Sequence, residues 1–332
     1  MTRDPLMTDA PPTLQAITAA AARLAPFVRQ TPVWEWRDEL MSATLKLELF
    51  QHSGTFKARG AINNILSLTD AERRRGVTAV SAGNHAAAVA YAAHTLGTSA
   101  KVVMPKTASP ARMAICRRFG AEVVLSEDVH ASFALVKHIE LSEGRAFVHP
   151  FEGPTTATGT ATLGLEFLRQ VDDLEAVVIP IGGGGLIGGM AAAIKQMRPG
   201  CLVYGVEPIG NDVIKRSVAS GLPEKTPAPN TIADSLSPPF ALPYSLGLVQ
   251  RFVDDIVLVS DDDLTEALYL LFERAKLAVE PAGAATTAAA IGPLRERLRG
   301  KKTGLLICGA NIDATRFAEY LQRGAARWHT RV

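Results

Sequence analysis

Ile181-Gly182-Gly183-Gly184-Gly185-Leu186-Ile187-Gly188-Gly189 joins an apolar strand pattern, Ala176–Pro180, to a helical one, Met190–Met197. Strand, tight turn and helix in that order form half of a βαβ unit, so an α/β fold is expected. Four consecutive glycines leave the turn without side chains, and its backbone N–H groups are free to face an anion. The positive end of the following helix dipole adds to that attraction. This is the composition of a phosphate cradle. Gly183, Gly185 and Gly188 also satisfy G-x-G-x-x-G, with Glu207 closing the next apolar run where a ribose-binding acid would sit. On this window alone a dinucleotide and a simple flexible turn both stay open.

Outward from the run, short β-branched segments alternate with Ala-rich helical ones. Strands are predicted at Leu45–Phe50, Val77–Ser81, Lys101–Met104, Glu122–Leu125, Val177–Ile181, Leu202–Val206, Ile256–Val259 and Leu305–Cys308. Helices are predicted at Ala86–Leu96, Pro110–Phe119, Ser132–Ser142, Thr160–Gln170 and Asp261–Ala278, among others. The alternation predicts parallel sheet covered on both faces, in two α/β lobes with a ligand cleft at the strand ends. Ser220–Tyr244, rich in proline, serine and threonine, reads as a long ordered loop.

A net charge of +2 over 332 residues gives no electrostatic case for nucleic acid or a membrane surface. Cys116, Cys201 and Cys308 are far apart and form no CxxC pair, which argues against disulfides and zinc and fits a reducing cytoplasm. The uncharged stretch Ala176–Ile194 has the length of a membrane span, but Pro180 and six glycines mark it as strand, loop and helix start. The first dozen residues read as a disordered lead without an apolar signal core.

Three further turns carry chemistry. Lys57 ends the string SGTFK, where a strand stops, Ser53 and Gly54 turn, and a helix begins. A lysine in the first helical turn feels the positive dipole end, which lowers its pKa and favours the neutral, nucleophilic amine. The string SAGNH, Ser81–His85, opens an Ala-rich helix after a strand and suits a carboxylate, although Asn84 or Ser81 would also serve as an ordinary N-cap. Cys308 ends a strand before Gly309, Ala310 and Asn311.

Taken in order, these strings together with TIAD (Thr231–Asp234), VDDIVLV (Val253–Val259) and VEPAGA (Val279–Ala284) resemble the pyridoxal-phosphate enzymes of the tryptophan synthase β fold type, fold type II. The resemblance runs from about residue 15 to about residue 320 and is strongest to the serine/threonine dehydratase and serine racemase branch. It implies a two-lobed fold with a large cofactor-binding domain, residues 1–75 and 151–332, and a small mobile domain, residues 76–150. It implies that Lys57 holds pyridoxal 5'-phosphate covalently, with Phe56 near the ring and Gly182, Gly183, Gly184 and Gly185 on the phosphate. Asn84 would contact the ring oxygen, Cys308 the pyridine nitrogen, and Ser81, Ala82, Gly83 and His85 the substrate carboxylate.

The activity so implied is β-elimination from a 3-hydroxy-L-amino acid to a 2-oxo acid and ammonia, with L-threonine or L-serine as default substrate. Phenylserine and 3-hydroxyaspartate stay open, because Gly159–Thr162 departs from the family's usual Gly-Gln-Gly-Thr. Arg59 and Arg112 are candidates for reading a side-chain carboxylate. Racemisation is disfavoured, since racemases carry a proton donor where this chain has Ala82. The branch's divalent-cation site is doubtful: Glu207 matches, but its second acid falls at Val213, with Asp212 one place off. A cytoplasmic homodimer is expected, acting on a small amino acid. An NAD-dependent dehydrogenase and a catalytically silent binder on the same scaffold are the remaining alternatives.

Overall fold

The computed structural model describes residues 9–226 and 228–331. Most of the lead expected to be disordered, residues 1–8, lies outside the described residues. Ten strands follow in chain order: β1 (Val33–Arg37), β2 (Ser42–Leu47), β3 (Val77–Val80), β4 (Ala100–Pro105), β5 (Glu122–Ser126), β6 (Ala146–Phe147), β7 (Ala176–Pro180), β8 (Leu202–Pro208), β9 (Asp255–Val259) and β10 (Thr303–Ile307). They form a six-stranded sheet, β1-β2-β10-β7-β8-β9, and a four-stranded sheet, β5-β4-β3-β6. Every pairing is parallel except the β1–β2 hairpin, in which Val33 faces Lys46 and Arg37 faces Ser42.

The smaller sheet is inserted between β2 and β7, so the chain leaves the larger sheet and returns to it. β3, β7 and β10 are buried at every residue, as expected of strands covered by helices on both faces. Two large apolar cores result among the described residues, with three smaller clusters beside them. One surrounds the larger sheet, and the other packs the Ala-rich helix Asn84–Thr95 and its neighbours on the smaller.

β1 and β6 were not expected from the sequence. β1 is an edge strand with charged Glu35 and Arg37 outward, and β6 has two residues, too few to show a period. The helix after β7 begins at Gly185, not Met190. Glycines are poor helix formers, but close packing requires them here: a Cβ on Gly188 would press on Leu248 at 2.8 Å, and one on Gly189 would press on Thr160. Residues 221–226 and 228–242 are largely irregular, as expected of the long loop.

A buried charge network fixes the helix Lys57–Leu66. Arg59 pairs with Glu48 at 2.8 Å and Glu166 at 2.9 Å, and Lys46 pairs with Glu166 at 2.5 Å. Thr31 donates to Glu48 at 2.6 Å. Arg59 is therefore committed to this network, away from the cavity described below, which removes it as a reader of a substrate carboxylate.

Candidate active site

Lys57 is the first residue of its helix. Ser53 (φ 63°) and Gly54 (φ 75°) turn the chain ahead of it in left-handed conformations, which glycine adopts at little cost. Phe56 N–H then donates to the Cys308 carbonyl (3.2 Å), and Ala310 N–H to the Gly54 carbonyl (3.0 Å). These bonds bring the Lys57 and Cys308 turns together across more than two hundred residues. The Lys57 side chain is half-buried against the cavity; its Nζ donates to the Pro150 carbonyl at 2.5 Å and lies 5.2 Å from the Phe56 ring centroid. Burial pulls its pKa down to about 8, against the opposing pull of Cys308 and Glu280. Burial and the helix terminus act in the same direction on this amine.

The glycine turn lies across the same cavity. Gly184 caps the helix Gly185–Met197 at φ +89°, and a Cβ on Gly185 would run into the Phe151 carbonyl. The first N–H groups of that helix have no intrahelical acceptor and are free to receive an anion. Thr160 Oγ1 donates to the Gly185 carbonyl at 2.8 Å. The unusual Gly159–Thr162 segment thus lies in the helix Pro154–Gln170 behind the cradle and steadies it.

Ser81, Ala82, Gly83, Asn84 and His85 line the cavity from the carboxyl end of β3. Ser81 Oγ accepts from Gly83 N–H at 3.0 Å. The His85 ring donates Nε2–H to the Val148 carbonyl at 2.8 Å, and burial followed by the nearby Lys57 cation lowers its pKa to about 3. The ring is therefore neutral, and the positive potential here comes from the amides of the helix Asn84–Thr95. His149 is neutral for the same reasons, its pKa also lowered to about 3. Cys308 is buried at the end of β10, and burial, reinforced by Glu280, pushes its thiol well above the ordinary range. It is a protonated, weak donor.

Sequence reasoning missed a polar network at the cavity mouth. Asn84 Nδ2 donates to Glu280 at 2.6 Å and to Ser235 at 3.0 Å, while its Oδ1 accepts from Asn311 at 2.8 Å. Arg112 is ion-paired with Asp234, lies 3.4 Å from Glu280 and donates to the Asn311 carbonyl at 3.0 Å. Burial raises the Glu280 carboxyl to about 7, with Arg112 opposing the shift. Arg112 does reach the cavity, but all three of its guanidinium nitrogens already donate to protein acceptors.

Glu207 stands apart from the cavity. Its carboxylate accepts the Ile214 and Lys215 N–H groups at 2.9 and 2.8 Å, at the start of the helix Val213–Ser220. Burial raises its pKa to about 8. The carboxylate is committed to helix amides, which takes away the ribose acid of the dinucleotide reading. Among the described residues no His, Cys, Asp and Glu group able to hold a metal is found, and no helix is long and apolar enough to cross a membrane.

The cavity holds about 180 Å³ and brings onto one surface an amine of lowered pKa, a helix N-terminus that admits no Cβ, and a neutral thiol. That set fits pyridoxal phosphate: a carbonyl for the amine, a phosphate for the amides and a ring nitrogen for the thiol. Residues 24–309 match the family model for pyridoxal-phosphate dependent enzymes. The chain belongs to that family. This pyridoxal-phosphate dependent enzyme is 54% identical to a phenylserine dehydratase of Ralstonia pickettii over 94% of its own length and 97% of the relative's. It is 37% identical to an L-threonine ammonia-lyase of Thermotoga maritima, over 85% and 70% of the two chains. The solved structure of maize serine racemase superposes with a TM-score of 0.89 at 33% identity, covering 96% of the enzyme and all of that chain. The enzyme is a lyase of fold type II. The dehydrogenase alternative falls with the family match.

Proposed function

We propose that the enzyme eliminates water from an aromatic 3-hydroxy-L-amino acid, phenylserine being the type substrate, and releases phenylpyruvate and ammonia. The observation that carries this reading is the apolar side of the cavity, lined by Phe133, Phe151, Leu236, Pro238 and Pro239 beside the Lys57 amine. The 54% identity to a phenylserine dehydratase supports it. L-Threonine and L-serine, the default substrates from sequence, become secondary ones.

In this reading Lys57 bonds the cofactor, the amides of Gly182–Gly185 hold its phosphate, Asn84 meets the ring oxygen and Cys308 the ring nitrogen. The bound cofactor supplies an electron sink for the pair left at Cα. With the cofactor bound, the Lys57 amine would be placed to take the Cα proton; its lowered pKa suits a base near neutral pH. Ser81, Gly83 and the helix amides at Asn84 and His85 orient the carboxylate, with Ala82 lining that site. A protonated Cys308 is a weak donor and would leave a ring nitrogen beside it without a proton, a setting that would favour loss of the β-hydroxyl. The hydroxyl would leave as water by taking up a proton that balances the one removed from Cα, and the released enamine would hydrolyse with one water to the oxo acid and ammonia. Ala82 supplies no proton to the opposite face of Cα, so inversion is disfavoured.

The reading includes a small domain, residues 76–150, that closes on the large one, and a cytoplasmic homodimer, which predicts twice the chain mass in solution. Initial rates of oxo-acid formation test the substrate. The expected result is a kcat/KM for phenylserine at least about tenfold above that for L-threonine. Equal or better use of threonine would overturn the aromatic assignment. A second test concerns pH. The neutral amine attacks the cofactor, so its uptake by the cofactor-free chain should rise about tenfold per pH unit below 8 and level off above it. A plateau reached only near pH 10.5, the ordinary lysine range, would contradict the burial argument.

A further inference from the structure

We infer that Phe133 determines specificity for the aromatic substituent by forming, with Phe240, an aryl clamp that spans the cleft between the two sheets. The inference rests on the reading above and names the residues that would make it work.

Phe133 belongs to the helix Val129–Glu143 of the four-stranded unit, where it packs against the cluster of Val80, Val103, Val136 and Ile139. It is half-buried and lines the cavity. Its ring meets Phe240, on the irregular connection of the six-stranded unit, with centroids 5.3 Å apart and planes at 55°. Phe240 in turn lies 6.4 Å from Phe151, the ring that covers the glycine cradle. Three rings therefore run from the phosphate side, across the cleft, to the smaller sheet. Phe240 is held in place by an antiparallel bridge to Lys225 and by flanking bonds, Thr226 N–H to Pro239 at 2.8 Å and Ala241 N–H to Glu224 at 2.9 Å.

The three rings carry no hydrogen-bond donor or acceptor; Phe133 and Phe151 line the cavity, and Phe240 backs both. An aryl group placed against this wall gains tilted ring contacts and buried apolar area. A methyl group would leave the space part-filled, and a carboxylate would lose its water without a partner. Because Phe133 and Phe240 come from different units, the clamp exists only when these are together. Aryl binding is thereby coupled to cleft closure, so the substituent should influence kcat as well as KM.

The test compares phenylserine and L-threonine kinetics in Phe133→Ala, with Phe133→Leu as a variant that keeps apolar bulk. For Phe133→Ala, kcat/KM on phenylserine should fall about 10- to 100-fold, in both kcat and KM, and by about tenfold more than that on threonine. Phe133→Leu should recover part of the phenylserine loss; it also serves if the alanine variant does not fold. An equal fall on both substrates, or no change on phenylserine, would overturn the clamp. A wild-type enzyme that does not prefer phenylserine would instead defeat the underlying substrate assignment, so the two failures are told apart.

Discussion

Lys57→Ala is expected to lower turnover by at least about a thousandfold, because one side chain serves as both the covalent anchor and the base at Cα. The loss should appear in kcat, and the visible absorbance of the lysine-bound cofactor should vanish with it. Folding should persist. The deletion removes an amine whose charged form burial already penalises, and it orphans only the Pro150 carbonyl, at a cost of about 1–3 kcal/mol. Circular dichroism of the variant separates the two effects. A folded variant that retained even a tenth of wild-type turnover would remove Lys57 from the chemistry.

The second large effect concerns stability. Arg59→Leu leaves Glu48, wholly buried, and Glu166 without their shared guanidinium. Burial opposes ionisation of Glu48, and Arg59 is the leading cause of its pKa being held below the ordinary carboxylate range. Breaking such a pair from one side costs about 3–5 kcal/mol, since an uncompensated charge stays inside. Urea unfolding should register that loss, and Arg59→Leu combined with Glu48→Leu should recover part of it. A midpoint shift worth under about 1 kcal/mol would mean that water reaches the network. Arg59 is two residues from Lys57 in the same helix, so the variant should also bind the cofactor more weakly.

What the sequence made legible was chemistry written in the backbone. The glycine run, the SGTFK turn and the SAGNH turn are local strings whose conformations are set by their own residues, and all of them meet at one cavity. Pairings between distant residues were not legible. Arg112 finds Asp234 122 residues away and Glu280 168 residues away, and nothing local to Arg112 signals either partner. The TIAD and VEPAGA strings did contain Asp234 and Glu280, but only as marks of resemblance, without a contact to give them a role. Glu207 shows the reverse case: a strand-end acid left a ribose contact open and a cation site doubtful, and the fold turns it onto two helix amides. Phe133 and Phe240 sit in a helix and a loop of no distinctive pattern, and only the folding of one sheet unit against the other makes them neighbours.

The most direct test of the account is borohydride reduction of the purified, cofactor-loaded enzyme, followed by peptide mass mapping. Stoichiometric pyridoxyl label on the peptide containing Lys57 is the predicted result. Label on Lys46, or on any other lysine with Lys57 unmodified, would contradict it and separate the glycine cradle from the chemistry assigned to this cavity.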